Sequence, residues 1–316
     1  MALVFSSTNH GLKHTVTEPD FIAKLRDRII LPHFPGLIVG IGDDCAIVRP
    51  RGAAQDWLYT TDMLIQDVHF RMDTHKPSEI GWKALARGLS DIAAMGGEPR
   101  FCLLSLAVSK ATNERWLSRF YDGLLALSAR SGAALIGGDL AHADRVTCDI
   151  VVAGTVPRGA ALRRDGAGPG DAIYVSGALG ASALGLATRR GNAWTRHKRP
   201  EPRLALGRFL RTRLHATSAM DLSDGLSLDL HRLAAASGLQ SEITQPPLYR
   251  GATLEQALHG GEDYELLFTV PARARVPELF EGLPLTRIGV MSRGTAGAVL
   301  LDGAQLPALG YDHLRC

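Results

Sequence analysis

The sequence predicts an α/β protein with mixed sheets, divided into two domains. Three observations carry this expectation. Short apolar runs such as LIVGI, FCLLSLAV and VTCDIVVAGTV alternate along the chain with longer amphipathic ones such as NERWLSRFYDGLLALSAR, the pattern of strands interleaved with helices. At 316 residues the chain is long enough to build two cores. Near its middle lies PRGAALRRDGAGPGD, rich in Gly and Arg, which reads as a junction. The expected domains are 1–156 and 157–316.

The elements follow in order. Glu18-Pro19-Asp20 leads into FIAKLRDRII, a capped amphipathic helix. LIVGI, AIV and WLYTT are short strands separated by turns. A helix runs from about Ser78 through IGWKALARGLSDIAAM and stops at Gly96-Gly97, with Pro99 just beyond. FCLLSLAV is a strand, NERWLSRFYDGLLALSAR a helix, AALIGGD a strand with a turn, and VTCDIVVAGTV a longer strand. Past the junction, AIYVSGALG opens a second series that continues through LALGRFLRTRL, GLSLDLHRLAAAS, YELLFTV and RIGVM. The basic run Arg196-His197-Lys198-Arg199 sits among prolines at a helix entrance and reads as a solvated face. No fixed-period repeat is present.

Composition excludes several classes of partner. With 35 basic and 32 acidic residues the net charge is +3, too even to imply nucleic acid or a membrane surface. Aromatic residues, at 6%, are too sparse for a single-strand stacking platform. No apolar run has the length of a membrane span, and the opening MALVFSSTNHGLKH lacks an apolar signal region with a cleavage site. Cys45, Cys102, Cys148 and Cys316 show no C-x-x-C spacing, which suits reduced thiols in a cytoplasmic protein without a zinc site.

The chemistry is concentrated in carboxylates. GIGDDC sets Asp43 and Asp44 side by side after glycine. Either a turn points them at water, or something positive compensates them. Similar acids recur: Thr60-Thr61-Asp62 ends WLYTT, and Gly137-Gly138-Asp139 ends AALI. Asp221-Leu222-Ser223-Asp224 precedes a helix, and Gly260-Gly261-Glu262 precedes YELLF. Strand ends and helix starts are where α/β sheets bind ligands. Asp91 stands inside a helix among Leu85, Leu89, Ile92, Ala93 and Ala94. A salt bridge to Arg87 or Lys83 would satisfy it, and so would a bound cation. Hard oxygen donors without thiolate or His clusters suit Mg²⁺ or Mn²⁺, and Mg²⁺ usually shares carboxylates with phosphate oxygens. Glycines at 137–138 and 260–261 would let backbone N–H groups approach such a ligand. No P-loop, protein-kinase signature, Rossmann fingerprint or nucleophile elbow occurs.

Six motifs in order, GIGDDCAIV, TTDMLIQDVHF, WKALARGLSDIAAMGGEP, IGGD, DLSDGLSLDL and GGEDYELLFTV, resemble those of the thiamine-monophosphate kinases. These belong to a superfamily with aminoimidazole-ribotide synthetase, selenophosphate synthetase and a hydrogenase-maturation protein. The resemblance runs from about Glu18 to His313. It implies a two-domain PurM-like architecture, ATP as co-substrate, several Mg²⁺ ions, thiamine monophosphate as acceptor, and a homodimer. By position it implies metal ligation by Asp44, Thr60, Thr61, Asp62, Asp91, Asp139, Asp221 and Asp224. It implies ATP contacts from Gly138, Asp139, Arg164 and Ser223, and substrate contacts from His69 and Glu262. Asp43 receives no role.

Simpler roles stand beside these: Arg163 and Arg164 could only solubilise the junction, His69 be structural, and Glu262 cap a turn. The family often carries an aromatic residue shortly before a C-terminal Gly-Tyr-Asp-His. Here Ala308 and Leu309 precede Gly310-Tyr311, so Tyr311 or another ring would face the thiamine. The terminal Cys316 is faintly similar to the modified cysteine of the hydrogenase-maturation branch, the alternative enzyme. The reactive-cysteine loop of selenophosphate synthetase is absent. A non-catalytic metal-binding scaffold is the third reading. The acceptor is a phosphate monoester with a second pKa near ~6, so its transfer needs positioning and charge neutralisation rather than a general base.

Overall fold

The computed structural model describes residues 17–28 and 34–311. Asp312 and His313, at the end of the resemblance, and Cys316 lie outside the described residues. The first unit contains helix α1 (Glu18–Arg28), strands β1 (Leu37–Val39), β2 (Ala46–Val48) and β3 (Gln55–Ile65), and helix α2 (Pro77–Ala94). Strand β4 (Glu98–Val108), helix α3 (Glu114–Ser131) and strands β5 (Ala134–His142) and β6 (Thr147–Pro157) complete it. Its six strands form one mixed sheet in the order β1-β2-β3-β6-β4-β5, and only β4–β5 among those pairs is parallel.

The second unit runs β7 (Ala172–Ser176), α4 (Ala181–Thr188), α5 (Gly191–Lys198), α6 (Leu204–Phe209), β8 (Ser218–Asp221), α7 (Leu226–Ala236) and β9 (Gln240–Ile243). It ends with α8 (Leu254–His259), β10 (Leu266–Val270), β11 (Leu279–Phe280), β12 (Leu283–Ser292), β13 (Val299–Leu301) and β14 (Ala304–Gln305). Its eight strands follow β14-β13-β9-β12-β7-β10-β8, with β11 hydrogen-bonded to β12. The architecture is thus mixed α/β in two units, as expected.

The helices start and stop for local reasons. Asn113 accepts a hydrogen bond from Trp116 N at 2.9 Å to cap α3, and Gly132 in the left-handed region (φ 79°) ends it. Pro77 opens α2, where the Glu79 carboxylate accepts from Lys76 N at 2.8 Å.

Helix α2 is the central element. Ile80, Leu85, Leu89 and Ile92 are wholly buried, and α2 packs on the first sheet, on α3 and on α6 of the second unit. Small residues permit that closeness. A Cβ on Gly123 of α3 would lie 1.8 Å from Ser78 O, and one on Gly207 of α6 would lie 1.9 Å from Ala93 O. Three hydrophobic clusters result: one under the first sheet, one in the second unit, and one joining Ala93 and Ala94 of α2 to Leu206, Leu210 and Phe268. Each large side chain so buried contributes about 1.5–3 kcal/mol.

Three expectations are corrected. Strand β3 continues through Thr60-Thr61-Asp62 instead of ending there, because its ladder with β6 stays intact to Ile65–Thr147. Likewise Gly137-Gly138-Asp139 lies inside β5 and not in a turn, paired in parallel with Leu103, Leu104 and Ser105. Gly138 permits the close approach, since a Cβ there would sit 1.9 Å from Leu104 O. The run at 196–199 is no solvated face. His197 is buried, Arg196 donates to buried Glu265 at 2.7 Å, Lys198 donates to Glu79 at 2.6 Å, and the Arg199 guanidinium lies 4.3 Å from the Trp82 ring centroid. Lys198 and Arg199 tie the end of α5 to α2 of the first unit, while Arg196 ties it to its own unit. Sequence alone misreads them because their acceptors lie far away along the chain.

Candidate active site

A cleft of ≈ 1210 Å³ opens between the two units. Its walls come from the β1–β2 turn, β3, α2, the 3₁₀ turn at Arg164–Gly166, the loops after β8 and α8, and residues 309–311. Fourteen residues were assigned to the site from sequence, and the cleft gathers twelve of them: Asp44, Thr60, Thr61, Asp62, His69, Asp91, Arg164, Asp221, Ser223, Asp224, Glu262 and Tyr311 line it, with Asp139 and Gly138 outside.

 Gly138 and Asp139 lie instead on exposed β5, at the edge of the first sheet.

The floor is a triad of acids. Asp44, Asp91 and Asp221 bring carboxylate oxygens within 4.8 Å of one another. Each comes from a different element: Asp44 precedes β2, Asp91 sits in the last turns of α2, and Asp221 ends β8. Thr60 Oγ1 donates to Asp91 at 2.5 Å and Ser90 Oγ to Asp221 at 2.7 Å. Burial, then the neighbouring acids, pushes Asp91 well above the usual carboxylate range. Burial and Asp44 raise Asp221 to about 7, and burial and Asp44 raise Asp43 to about 7 despite Arg164.

The two salt bridges considered for Asp91 do not form. Arg87 pairs with Asp62 and Lys83 with Glu262, and among the described residues no ion pair includes Asp91. Asp44 Oδ2 is buried with no hydrogen-bond partner. A buried carboxylate oxygen without a donor, beside two more crowded carboxylates, fits a hard divalent cation. Thus the donor set suits Mg²⁺.

Arginines line the rest of the wall. Arg164 pairs with Asp44 through Nη2, and its backbone N–H donates to Asp43 at 3.3 Å. The side chain is largely buried, so it does not merely solubilise the junction; Arg163, paired with Asp165, is half-exposed. Arg232 of α7 pairs with Asp224 and, at 3.1 Å, with Asp229. Asp62 and Asp224, two of the ligands implied by resemblance, are therefore each held by an arginine. Thr61 donates to Asp149 of the central strand β6 at 2.6 Å, at an exposed position.

At the opposite end stands Glu262, in the left-handed region at φ 66°, held by its N–H donating to Ser223 O at 2.7 Å. Lys83 Nζ meets its carboxylate at 2.7 Å and His197 Nδ1 at 3.4 Å. Burial would raise Glu262, but Lys83, His197 and Arg87 outweigh it and hold the acid at about 2. Lys83 Nζ also donates to His69 O at 3.2 Å, tying together two residues assigned to substrate. Tyr311 N donates to Asp224 O at 3.1 Å, which folds the chain back over the cleft.

Sequence reading weighed Lys83 and Arg87 only as partners for Asp91 and did not assign them to the site. They stand at i, i+4 and i+8 with Asp91, so about 6 Å apart along one face of α2. That spacing of charges in an otherwise apolar helix was the available signal. His197 carried none, because its partners are distant in sequence.

Comparison with known proteins follows this geometry. Residues 42–156 match the AIR synthase related protein, N-terminal domain, and residues 168–302 match its C-terminal domain. The thiamine-monophosphate kinase of Bacillus subtilis (strain 168) is 36% identical over 333 residues, spanning 94% of this chain and 99% of that one. A solved structure described as AaThiL complexed with AMPPCP and TMP superposes with a TM-score of 0.81 at 30% identity, covering 94% and 97% of the two chains. The hydrogenase maturation protein HypE in complex with ATP reaches 0.65 at 18% identity, covering 93% and 96%, a likeness of fold alone.

Proposed function

Because this chain belongs to the thiamine-monophosphate kinases of the AIR synthase related family, we infer that it transfers the γ-phosphoryl group of ATP onto thiamine monophosphate, giving ADP and thiamine diphosphate. The single observation that carries this for the site is the cleft with an acid triad at one end and a fixed carboxylate, Glu262, at the other. That arrangement supports the kinase over a scaffold, whose ligands would cluster in one loop.

The residues act by position and charge. Asp44, Asp91 and Asp221 would hold Mg²⁺, with Thr60, Thr61, Asp62 and Asp224 as the further ligands the resemblance implies; Asp139, which it also implies, lies outside the cleft of this chain. Bound there, Mg²⁺ neutralises phosphate oxygens and favours their in-line alignment. Arg164 presents its planar fork to the ATP phosphates beside Asp44, with Ser223 on the facing loop. Glu262 and His69 face the cationic, ring-bearing part of the acceptor, and Tyr311 covers it. Since the acceptor phosphate is already ionised, no side chain removes a proton from it. Thiamine lacks that phosphate, and its hydroxyl would need a base worth about 10²–10⁴-fold.

We also propose a cytoplasmic homodimer with domains 1–156 and 157–316. Buried free thiols at Cys45, Cys102 and Cys148 support a reducing setting, and among the described residues no helix is long and apolar enough to cross a membrane. Tyr59, Met63 and Leu103 are exposed on the sheet face away from α2, and Ile136 and Leu140 flank Gly138-Asp139 on the edge strand. A second copy docked on that surface would bury this apolar set and turn β5 into part of an interface.

The test is ADP release coupled to chromatography of thiamine esters, with thiamine monophosphate and thiamine as matched acceptors. Thiamine diphosphate should form from the ester alone. Comparable turnover of thiamine, or no turnover of either, would overturn the reading. Sedimentation should give twice the chain mass, and a monomer would refute the dimer.

A further inference from the structure

Arg87 sits between the two ends of the cleft. It projects from α2 between Lys83 and Asp91, and its Nε and Nη2 are both taken by Asp62, at 2.9 and 2.5 Å. The third nitrogen, Nη1, is buried and has no hydrogen-bond partner among the described residues. Its side chain is only 12% exposed, yet it lines the cleft. Burial works against its charge, while Tyr264, Asp62 and Glu262 favour it. A buried guanidinium N–H left without an acceptor is costly, and the residue lines the same cleft as the acid triad and Glu262.

Arg164 repeats the pattern at the other end. It too is engaged by a carboxylate, Asp44, while its Nε is buried and lacks a hydrogen bond. Two guanidiniums, each pinned by an aspartate and each keeping one donor, bracket a cleft whose reaction joins two phosphate groups. Arginine rather than lysine suits both places, because its fork can grip an aspartate and a phosphate oxygen together.

We propose that Arg87 Nη1 donates to the phosphate of the acceptor substrate, so that Arg87 distinguishes the phosphate ester from the free alcohol. This rests on the functional reading above. Asp62 then serves to aim the guanidinium, in addition to any part it takes in metal binding. The two arginines divide the work: Arg164 for the donor nucleotide, Arg87 for the acceptor.

The experiment compares ligand and protein changes in a cycle. Calorimetry in Mg²⁺ measures binding of thiamine monophosphate and of thiamine to wild-type protein, Arg87→Met and Arg87→Lys, with a non-hydrolysable ATP analogue as third ligand. Wild-type protein should prefer the ester. In Arg87→Met that preference should fall roughly 10- to 100-fold, the loss typical of a hydrogen bond between charged groups. Affinity for thiamine and for the ATP analogue should change little.

If both thiamine ligands weaken equally, Arg87 is only a prop for Asp62 and the inference fails. If the ATP analogue weakens instead, Arg87 belongs to the donor side, and the inference again fails. Should Arg87→Met not fold by circular dichroism, Arg87→Lys decides: it keeps the charge but loses the fork, and must still lose part of the preference. Wild-type protein that binds neither thiamine ligand overturns the functional reading itself.

Discussion

Replacing Asp91 by Asn relieves the crowding on which the site is built. Asp44, Asp91 and Asp221 hold carboxylate oxygens within 4.8 Å of one another. Two unit charges at about that separation repel by roughly 3.5 kcal/mol at an effective dielectric near ~20. Without metal, part of that repulsion is already relieved by protonation, since burial and its neighbours lift Asp91 well above the ordinary range and Asp221 to about 7. The remaining relief is about 1–2 kcal/mol. Asparagine has nearly the same shape, and its amide oxygen can still accept from Thr60.

The pH dependence follows from the direction of the shifts. A carboxylate raised in the folded state costs nothing below its unfolded value, and its cost grows as pH rises towards the folded value, which for Asp91 lies well above the ordinary carboxylate range. Asp91→Asn should therefore stabilise the metal-free protein increasingly as pH rises, by roughly 2–6 °C in Tm on the alkaline side, and hardly at all near pH 4. Melting curves in EDTA across this range, with turnover in excess Mg²⁺, are the assay. Turnover should drop at least about 100-fold, as expected when a charge-stabilising element is lost. A mutant less stable than wild type in EDTA at pH 8, or one turning over near-normally in Mg²⁺, would refute the reasoning.

Other perturbations have equally definite outcomes. Lys83→Met leaves Glu262 buried without its cation and should cost about 3–5 kcal/mol in denaturant unfolding, partly restored by adding Glu262→Gln; no recovery would mean that the pair is unimportant. Burial, then Lys83, depresses His75 to about 4 and His197 to about 3. Both rings should stay neutral in NMR titration down to pH 5, and the stability they give above pH 6.5 should be lost as pH falls towards those values. A titration near 6.5 would contradict this. Calorimetry with a non-hydrolysable ATP analogue should show affinity in Mg²⁺ that largely disappears in EDTA; equal affinity in both would count against the acid triad as a cation site.

Much of the acid chemistry was legible because local signals carried it. Asp44, Asp91 and Asp221 each followed or interrupted an apolar run, where an unexplained carboxylate stands out. Glycine before Glu262 marked a backbone conformation that the structure realises at φ 66°. The rest was hidden by distance along the chain. Nothing near His197 announces Glu262, and nothing near Arg87 announces Asp62. The Gly137-Gly138 pair misled for a different reason: glycine serves a close strand pairing as readily as a turn, and only the Leu104 carbonyl beside Gly138 distinguishes the two.

Helix α2 has a consequence for how this enzyme could change its acceptor. Lys83, Arg87 and Asp91 project from a rod packed on the first sheet, on α3 and on α6, with glycines leaving no room for larger side chains. A redesign on that wall would have to be accommodated on every other side at once. The opposite wall is built from Leu186, Leu309 and Tyr311, all exposed. Acceptor preference can therefore drift, or be engineered, by substitution on that outer wall, while the side that carries Lys83, Arg87 and Asp91 stays as it is.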